Sequence, residues 1–282
     1  MEPVGMTAVA ASLGADAVVA EGAQVGGRLL ERLLGESVDV IGSQWAEGLR
    51  QKNLQRLLKK TEARASSANP GTVPPRLASQ VFEAAQYADE ELMAEYFSGV
   101  LASARNGNGG NDGGVSWSAL ISRLSSDQVR LHYLIYSTMR KYAFDSEFEL
   151  SNKLHDKKVL LPLDEILQAC DFDSDHANRF ADAVDGLMRE GLIATGYSYG
   201  PLEGVQEEYP KDKVLVAPFK SAIRIALTVH GVRLFVWGSG HGQGGVDQYL
   251  NPSAEMNLVD ADASPFIISR GGFYNDFLCP KE

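Results

Sequence analysis

The stretch that most constrains this chain is residues 89–136, DEELMAEYFSGVLASARNGNGGNDGGVSWSALISRLSSDQVRLHYLIY, two apolar helical patterns separated by a run of glycine and asparagine. In the first, Leu92, Met93, Tyr96, Phe97, Val100 and Leu101 recur at helical spacing; in the second, Leu120, Ile121 and Leu124 lead on to Val129, Leu131, Leu134 and Ile135. Both faces need an apolar partner, so the pattern predicts a helical hairpin. The run NGNGGNDGG after Arg105 is costly to order and predicts a mobile surface loop. No catalytic grouping sits in this stretch.

Composition limits the rest. A chain of 282 residues, 44% hydrophobic and 22% charged, is long enough for a sizeable core in one large domain or two ordinary ones. The formal net charge of −11 argues against a general nucleic-acid binder, because neutralising phosphates takes clustered Lys and Arg. Cys170 and Cys279 stand far apart, with no CxxC and no His pair, so neither a disulfide framework nor a zinc site is expected. The uncharged run 3–15 is too short to span a bilayer and lacks the basic start of a secretory signal, which places the chain in the cytoplasm.

Residues 4–35 carry small residues at four-residue spacing, with a literal GxxxG at Gly22 and Gly26 that would let helices approach closely. Asp16, Glu21, Arg28, Glu31 and Arg32 interrupt the run, which favours a flexible tail or a surface helix in an oligomer over the alternative of a membrane-active helix. From Glu36 to Ala65 a helical repeat carries Arg50, Lys52, Arg56, Lys59, Lys60 and Arg64 on its polar face. With Glu62 as the one acid between Arg50 and Arg64, that segment has a local charge of 6 − 1 = +5. It is a candidate docking surface for a partner, for nucleic acid or for lipid headgroups at the inner membrane; otherwise it is a solvated helix face or is paired to the protein's own acids. SSANPGTVPP, residues 66–75, cannot be helical because of its prolines and reads as a linker. A helix resumes over residues 76–87, ahead of the hairpin.

Beyond the hairpin, 159–163 reads as a short strand with Pro162 near the start of a helix at 163–169. A further helix is expected at 175–192, then extended stretches at 193–199 and 214–237. Helices followed by two strands is the order of a winged helix, which would put 175–190 in the recognition position. Residues 171–190 hold six acidic side chains against Arg179 and Arg189, a balance that repels phosphate and suits protein recognition. The segment from Gly238 on is Gly-, Pro- and Asp-rich and reads as mostly loop, with an extended piece at 266–269.

Three motifs invite a chemical reading. Gly196, Ser198 and Gly200 spell GxSxG, with Asp212 and then His230 or His241 in hydrolase order; the elbow needs a strand before the serine and a helix after it, and Pro201 with an acidic turn follows instead. Gly240, Gly242 and Gly245 spell GxGxxG, but no helix of useful length can open before Pro252. Asp171, Asp173 and Asp175 resemble the start of a calcium loop, yet His176 stands where the turn needs glycine. His132, in the apolar second arm, reads as a core residue whose ring is satisfied. No cofactor and no metal is expected.

QKNLQRLLKK (51–60), the prolines before Arg76, DEELMAEYFSGVLASAR (89–105) and WSALISRLSSDQVRLHYLIY (117–136) together make the chain resemble the Abi-alpha family of bacterial abortive-infection, that is phage-resistance, proteins. LTVHGVRLF (227–235) is similar to that family's C-terminal strand. The resemblance implies a defence role and brings no catalytic residues with it. The chain is therefore expected to be mainly α, with N-terminal helices and a helical hairpin followed by a winged-helix-like α+β domain. Its expected organisation is a Gly/Ala-rich segment and basic helix at 1–65, a linker at 66–75, the hairpin domain at 76–150, the winged-helix-like domain at 151–237 and an irregular tail at 238–282. The expected function is non-enzymatic anti-phage defence through protein partners, self-association or peripheral membrane contact. The alternatives are a winged-helix interaction module without a defence role and, last, a hydrolase acting through Ser198.

Overall fold

The structure, a computed structural model, describes residues 51–64, 71–85, 91–105, 112–144, 157–172, 177–208, 210–257, 268 and 270–281. In chain order the elements are α1 (Gln51–Arg64), α2 (Pro75–Ala85), α3 (Glu91–Ala104), α4 (Gly113–Ile121), α5 (Ser126–Phe144), β1 (Lys158–Pro162), α6 (Leu163–Ala169), α7 (Ala177–Arg189), β2 (Ser198–Pro201), α8 (Leu202–Val205), β3 (Lys213–Leu215), β4 (Ser221–Ala226), α9 (Val229–Gly238), β5 (Gly272–Phe273) and β6 (Leu278–Pro280). The protein is mainly helical. Its antiparallel strands form a four-stranded sheet in the order β2-β4-β1-β5 and a two-stranded ribbon of β3 and β6.

The chain divides into two compact units. The first takes the described residues up to Arg123 together with Trp237–Gln243 and Asn257. Its core joins Leu57 and Leu58 of α1, Leu77, Val81 and Phe82 of α2, Leu92, Tyr96, Phe97, Val100 and Leu101 of α3, and Trp117, Leu120 and Ile121 of α4. The expected linker ends inside this core: Val73 is buried, and Arg105 Nε donates to the Gly71 carbonyl at 3.1 Å. Small residues let backbones approach on one side of α3. A Cβ on Gly99 would fall 1.7 Å from the Gly238 carbonyl oxygen, and one turn on, Ser103 Oγ donates to the Trp237 carbonyl at 2.9 Å. Trp237 in turn stacks on Trp117, with ring centroids 6.2 Å apart.

The second unit takes Leu124–Val236, Gly244–Met256 and the described residues from Ile268 on. Here β1 is the interior strand, paired on one side to β4 (Val159 opposite Ile225) and on the other to β5 (Val159 opposite Phe273), and Val159, Leu160 and Leu161 are fully buried. Pro162 closes the strand and stands at the N-cap of α6, as its fixed φ and missing N–H allow. Helix α7 buries Phe180, Val184 and Leu187 and packs on α5 where Gly186 leaves room for Gln128.

Two sequence expectations change. The second arm of the hairpin is two helices, α4 and α5, and only α4 packs with α3 inside the first unit. The break is a capping box: Gln128 N–H donates to Ser125 Oγ at 3.2 Å while Ser125 N–H donates to Gln128 Oε1 at 2.9 Å, a reciprocal pair that starts a new helix after Ser125. The extended stretch expected over 214–237, including the strand-like LTVHGVRLF, ends early. The sheet stops at Ala226, Leu227 makes one isolated bridge to Ile193, and α9 begins at Val229. Thr228 decides this, because its Oγ1 accepts from Gly231 N–H at 3.0 Å and its carbonyl accepts from Val232 N–H at 3.0 Å, so the β-branched residues that follow wind into a helix. The run 106–111, the segment 1–50 and nearly all of the expected piece at 266–269 lie outside the described residues.

Candidate functional site

The basic residues of α1 divide by direction. Arg56, Lys60 and Arg64 are four residues apart and lie along one row of the helix; Glu91 and Glu95 are four apart on α3. The two rows mesh as a ladder. Arg56 Nη1 donates to Glu91 at 2.9 Å, Lys60 bridges Glu91 and Glu95, with Glu95 at 2.5 Å, and Arg64 pairs with Glu95. The side chain of Glu95 is 0% exposed and those of Lys60 and Arg64 are 5% exposed, so neither cation is available to a lipid headgroup. Arg64 also donates to the Ser239 carbonyl at 3.0 Å. Burial opposes ionisation of Glu95, but Arg64 and Lys60 outweigh it and hold the carboxyl below its ordinary value. Burial likewise opposes the Lys60 charge, and Glu91 and Glu95 outweigh it, raising its pKa.

Lys59 points outward. Arg50, Gly22 and Gly26 lie outside the described residues, and Lys52 is described as part of the helix without its side chain. The candidate surface strip is thus turned inward at Lys60 and Arg64, with Arg56 half-buried against Glu91. The sequence signal for this arrangement was the matching four-residue spacing in RLLKKTEAR and ELMAE, one row basic and the other acidic.

The motifs fall on quite different backbones. Ser198 opens β2, opposite Arg224 of β4, and its Oγ is buried without a hydrogen-bond partner. A four-residue helix follows Pro201, not the long helix a nucleophile elbow carries. Residues 242–244 and 246–250 form 3₁₀ turns where a dinucleotide fingerprint needs an α-helix. Asp171 takes φ +56° at the end of α6, while Asp173 and Asp175 lie outside the described residues. His132 is fully buried with Nε2 donating to the Gly231 carbonyl at 3.0 Å, and burial, aided by neighbouring His230, pushes its pKa down to about 3. Cys170 and Cys279 are both free thiols. Among the described residues no cluster of three His, Cys, Asp or Glu could hold a metal ion, and no helix is long and apolar enough to cross a membrane.

One outward-facing arrangement in the second unit was not singled out from sequence. Tyr197 and Tyr199 lie on one side of the strand running into β2, their rings parallel to within 4° at 6.2 Å between centroids. Phe180 of α7 meets Tyr199 edge-on at 5.2 Å and is itself edge-on to Phe172. Tyr199 is 42% exposed. Tyr197 donates its hydroxyl to Asp185, a bond that pushes its pKa up to about 12. Asp182 and Asp185 stand exposed on α7, whereas Arg179 is held in a bidentate pair with Asp127 at 2.7 and 3.0 Å. Alternation placed the two tyrosines on one side; only the packing of α7 on the sheet added the phenylalanine and the carboxylates.

Fold and site together define a mainly helical protein with a small antiparallel sheet, whose ionisable residues are organised into ladders and faces. The family model for Abortive infection alpha matches residues 49–234, and the chain belongs to that family. No curated protein and no solved structure matches it.

Proposed function

We propose that this protein is a non-enzymatic component of bacterial defence against phage, working in the cytoplasm by presenting a shaped surface to a protein partner or to another copy of itself. Its family supports the defence half of this reading. The observation that carries the contact half is the α7–β2 face, where aromatic rings and carboxylates share an outward surface, since aromatics are enriched in protein interfaces. The order α5, β1, α6, α7, β2, β4 with neighbouring strands β2-β4-β1 supports a winged helix turned to protein recognition, α7 holding the recognition position. The exposed carboxylates of α7 and the chain's charge of −11 disfavour nucleic acid. Contact with the inner-membrane surface would rest on the outward residues of α1 and the segment before it, because Lys60 and Arg64 are committed to Glu95.

The test is plaque formation on a bacterial host expressing the chain, challenged with a panel of phages. Fewer plaques, with the Ser198→Ala variant protecting equally well, is the expected result. A folded, expressed chain that protects against no phage leaves an interaction module without a defence role, and loss of protection in Ser198→Ala revives the hydrolase. Flotation with anionic liposomes, comparing the intact chain with one lacking residues 1–35, decides the membrane version, which ends if neither floats.

A further inference from the structure

We propose that the α7–β2 face is a docking site for an arginine-bearing segment of a protein partner. This deepens the protein-contact reading above and rests on it. The face of an aromatic ring attracts a cation, and Tyr197 and Tyr199 offer two parallel rings, one of them nearly half exposed. Asp185, hydrogen-bonded to Tyr197, supplies negative charge at the rings, and Asp182 stands exposed three residues before it on the same helix. Arginine fits better than lysine, because a planar guanidinium stacks on a ring and can fork onto a carboxylate at the same time.

The face is built before anything arrives. Asp185 holds the Tyr197 hydroxyl, and the edge of Phe180, 2% exposed, fixes Tyr199, so little side-chain freedom remains to be lost on binding. The cation that α7 carries next to Phe180 is already taken: Arg179 forks onto Asp127 and lies over the Phe172 ring at 5.3 Å. Arg189 stands at the other end of α7, in its last turn.

The experiment uses the full chain and a short fluorescein-labelled peptide of alternating arginine and glycine, with citrulline replacing arginine in a neutral copy, read by anisotropy. Saturable binding of the arginine peptide and none of the citrulline copy is expected. Tyr199→Leu, which keeps an apolar cover over Phe180, should weaken binding about two- to fivefold. The double change Asp182→Asn with Asp185→Asn should weaken it similarly and reduce its salt dependence. Asp247→Asn, an exposed acid on a 3₁₀ turn elsewhere in the same unit, should leave it unchanged. The proposal is overturned if the wild-type chain fails to bind, or if Asp247→Asn weakens binding as much as the pair on α7. Two further results would also overturn it: a labelled DNA duplex binding the wild-type chain more tightly than the peptide does, or sedimentation showing that Tyr199 mediates self-association in a chain that ignores the peptide. Plaque protection measured on the same proteins separates the two readings, since a chain that protects without binding the peptide loses only this site, and one that binds without protecting loses only the defence role.

Discussion

The two units bury polar groups in opposite ways. Every charged residue among the described ones that is buried, namely Lys60, Glu95 and Arg105, belongs to the first unit; in the second the buried polar side chains are neutral, with His132, Gln128 and Thr138 joined by the hydroxyls of Tyr136 and Tyr249. In the first unit opposite charges meet and each favours the other's ionised form, so burial does not neutralise them. In the second unit burial prevails. It pushes His132 down to about 3, Tyr136 up to about 12 and Cys170 up to about 12, and each of these groups stays uncharged across the neutral range. The desolvation penalty is common to both, and the presence of an opposite charge within reach decides how it is met.

The largest test of this contrast is Glu95→Ala, which leaves Lys60 and Arg64 buried without their carboxylate and should cost about 3–5 kcal/mol in urea unfolding. If it costs no more than an exposed pair, the ladder is not the core of the first unit. In the second unit, Gly231→Ala would push a methyl to 2.0 Å from the Tyr136 hydroxyl and 2.3 Å from the Leu192 carbonyl, and should destabilise by about 1–3 kcal/mol. Hydrogen exchange should report the loss in α5 and α9.

Acid should separate the units. The folded pKa of His132 lies below its ordinary 6.5, so below pH 6.5 the unfolded chain takes up a proton that the folded chain refuses, and stability falls with pH until about pH 3. At about 1.4 kcal/mol per pH unit, going from pH 6.5 to 5 should cost the second unit about 2 kcal/mol. Glu95 is also depressed, from 4.5, so the stability its ionisation contributes is present above that value and is lost only as pH falls below it. Exchange of α5 should therefore quicken at pH 5 while α3 remains protected. His132→Gln should flatten the acid response of α5, and simultaneous loss of both helices would break the comparison.

Smaller effects sharpen it. Tyr249 donates its hydroxyl to the Tyr136 carbonyl at 2.6 Å in a fully buried site, so Tyr249→Phe should cost about 1 kcal/mol in thermal unfolding. Asp127→Asn, which breaks a bidentate but exposed pair with Arg179, should cost under about 1 kcal/mol, far less than removing Glu95 although both are carboxylates facing arginine.

Much of the helical content was legible in advance, because a 3.6-residue apolar period needs no knowledge of what it packs against. The faces of α2, α3 and α7 and the strand and helix meeting at Pro162 fall where periodicity and proline chemistry put them. The capping box at Ser125 and the cap at Thr228 were written in the sequence as well, yet a continuous apolar pattern and a β-branched run concealed them. The aromatic–acidic face was only half legible, since alternation aligns Tyr197 with Tyr199 but cannot say that Phe180 and Asp185 come to meet them.

By itself the sequence determined most of the helices and their apolar faces, the acidic charge and the family, all of which follow from local periodicity, composition and residue pattern. Tertiary structure alone decided that Lys60 and Arg64 face Glu95 and not solvent, and that Asp185 meets the two tyrosines on one surface. A charge on a helix face has no fixed role until another segment, distant in the chain, either pairs it or leaves it to water.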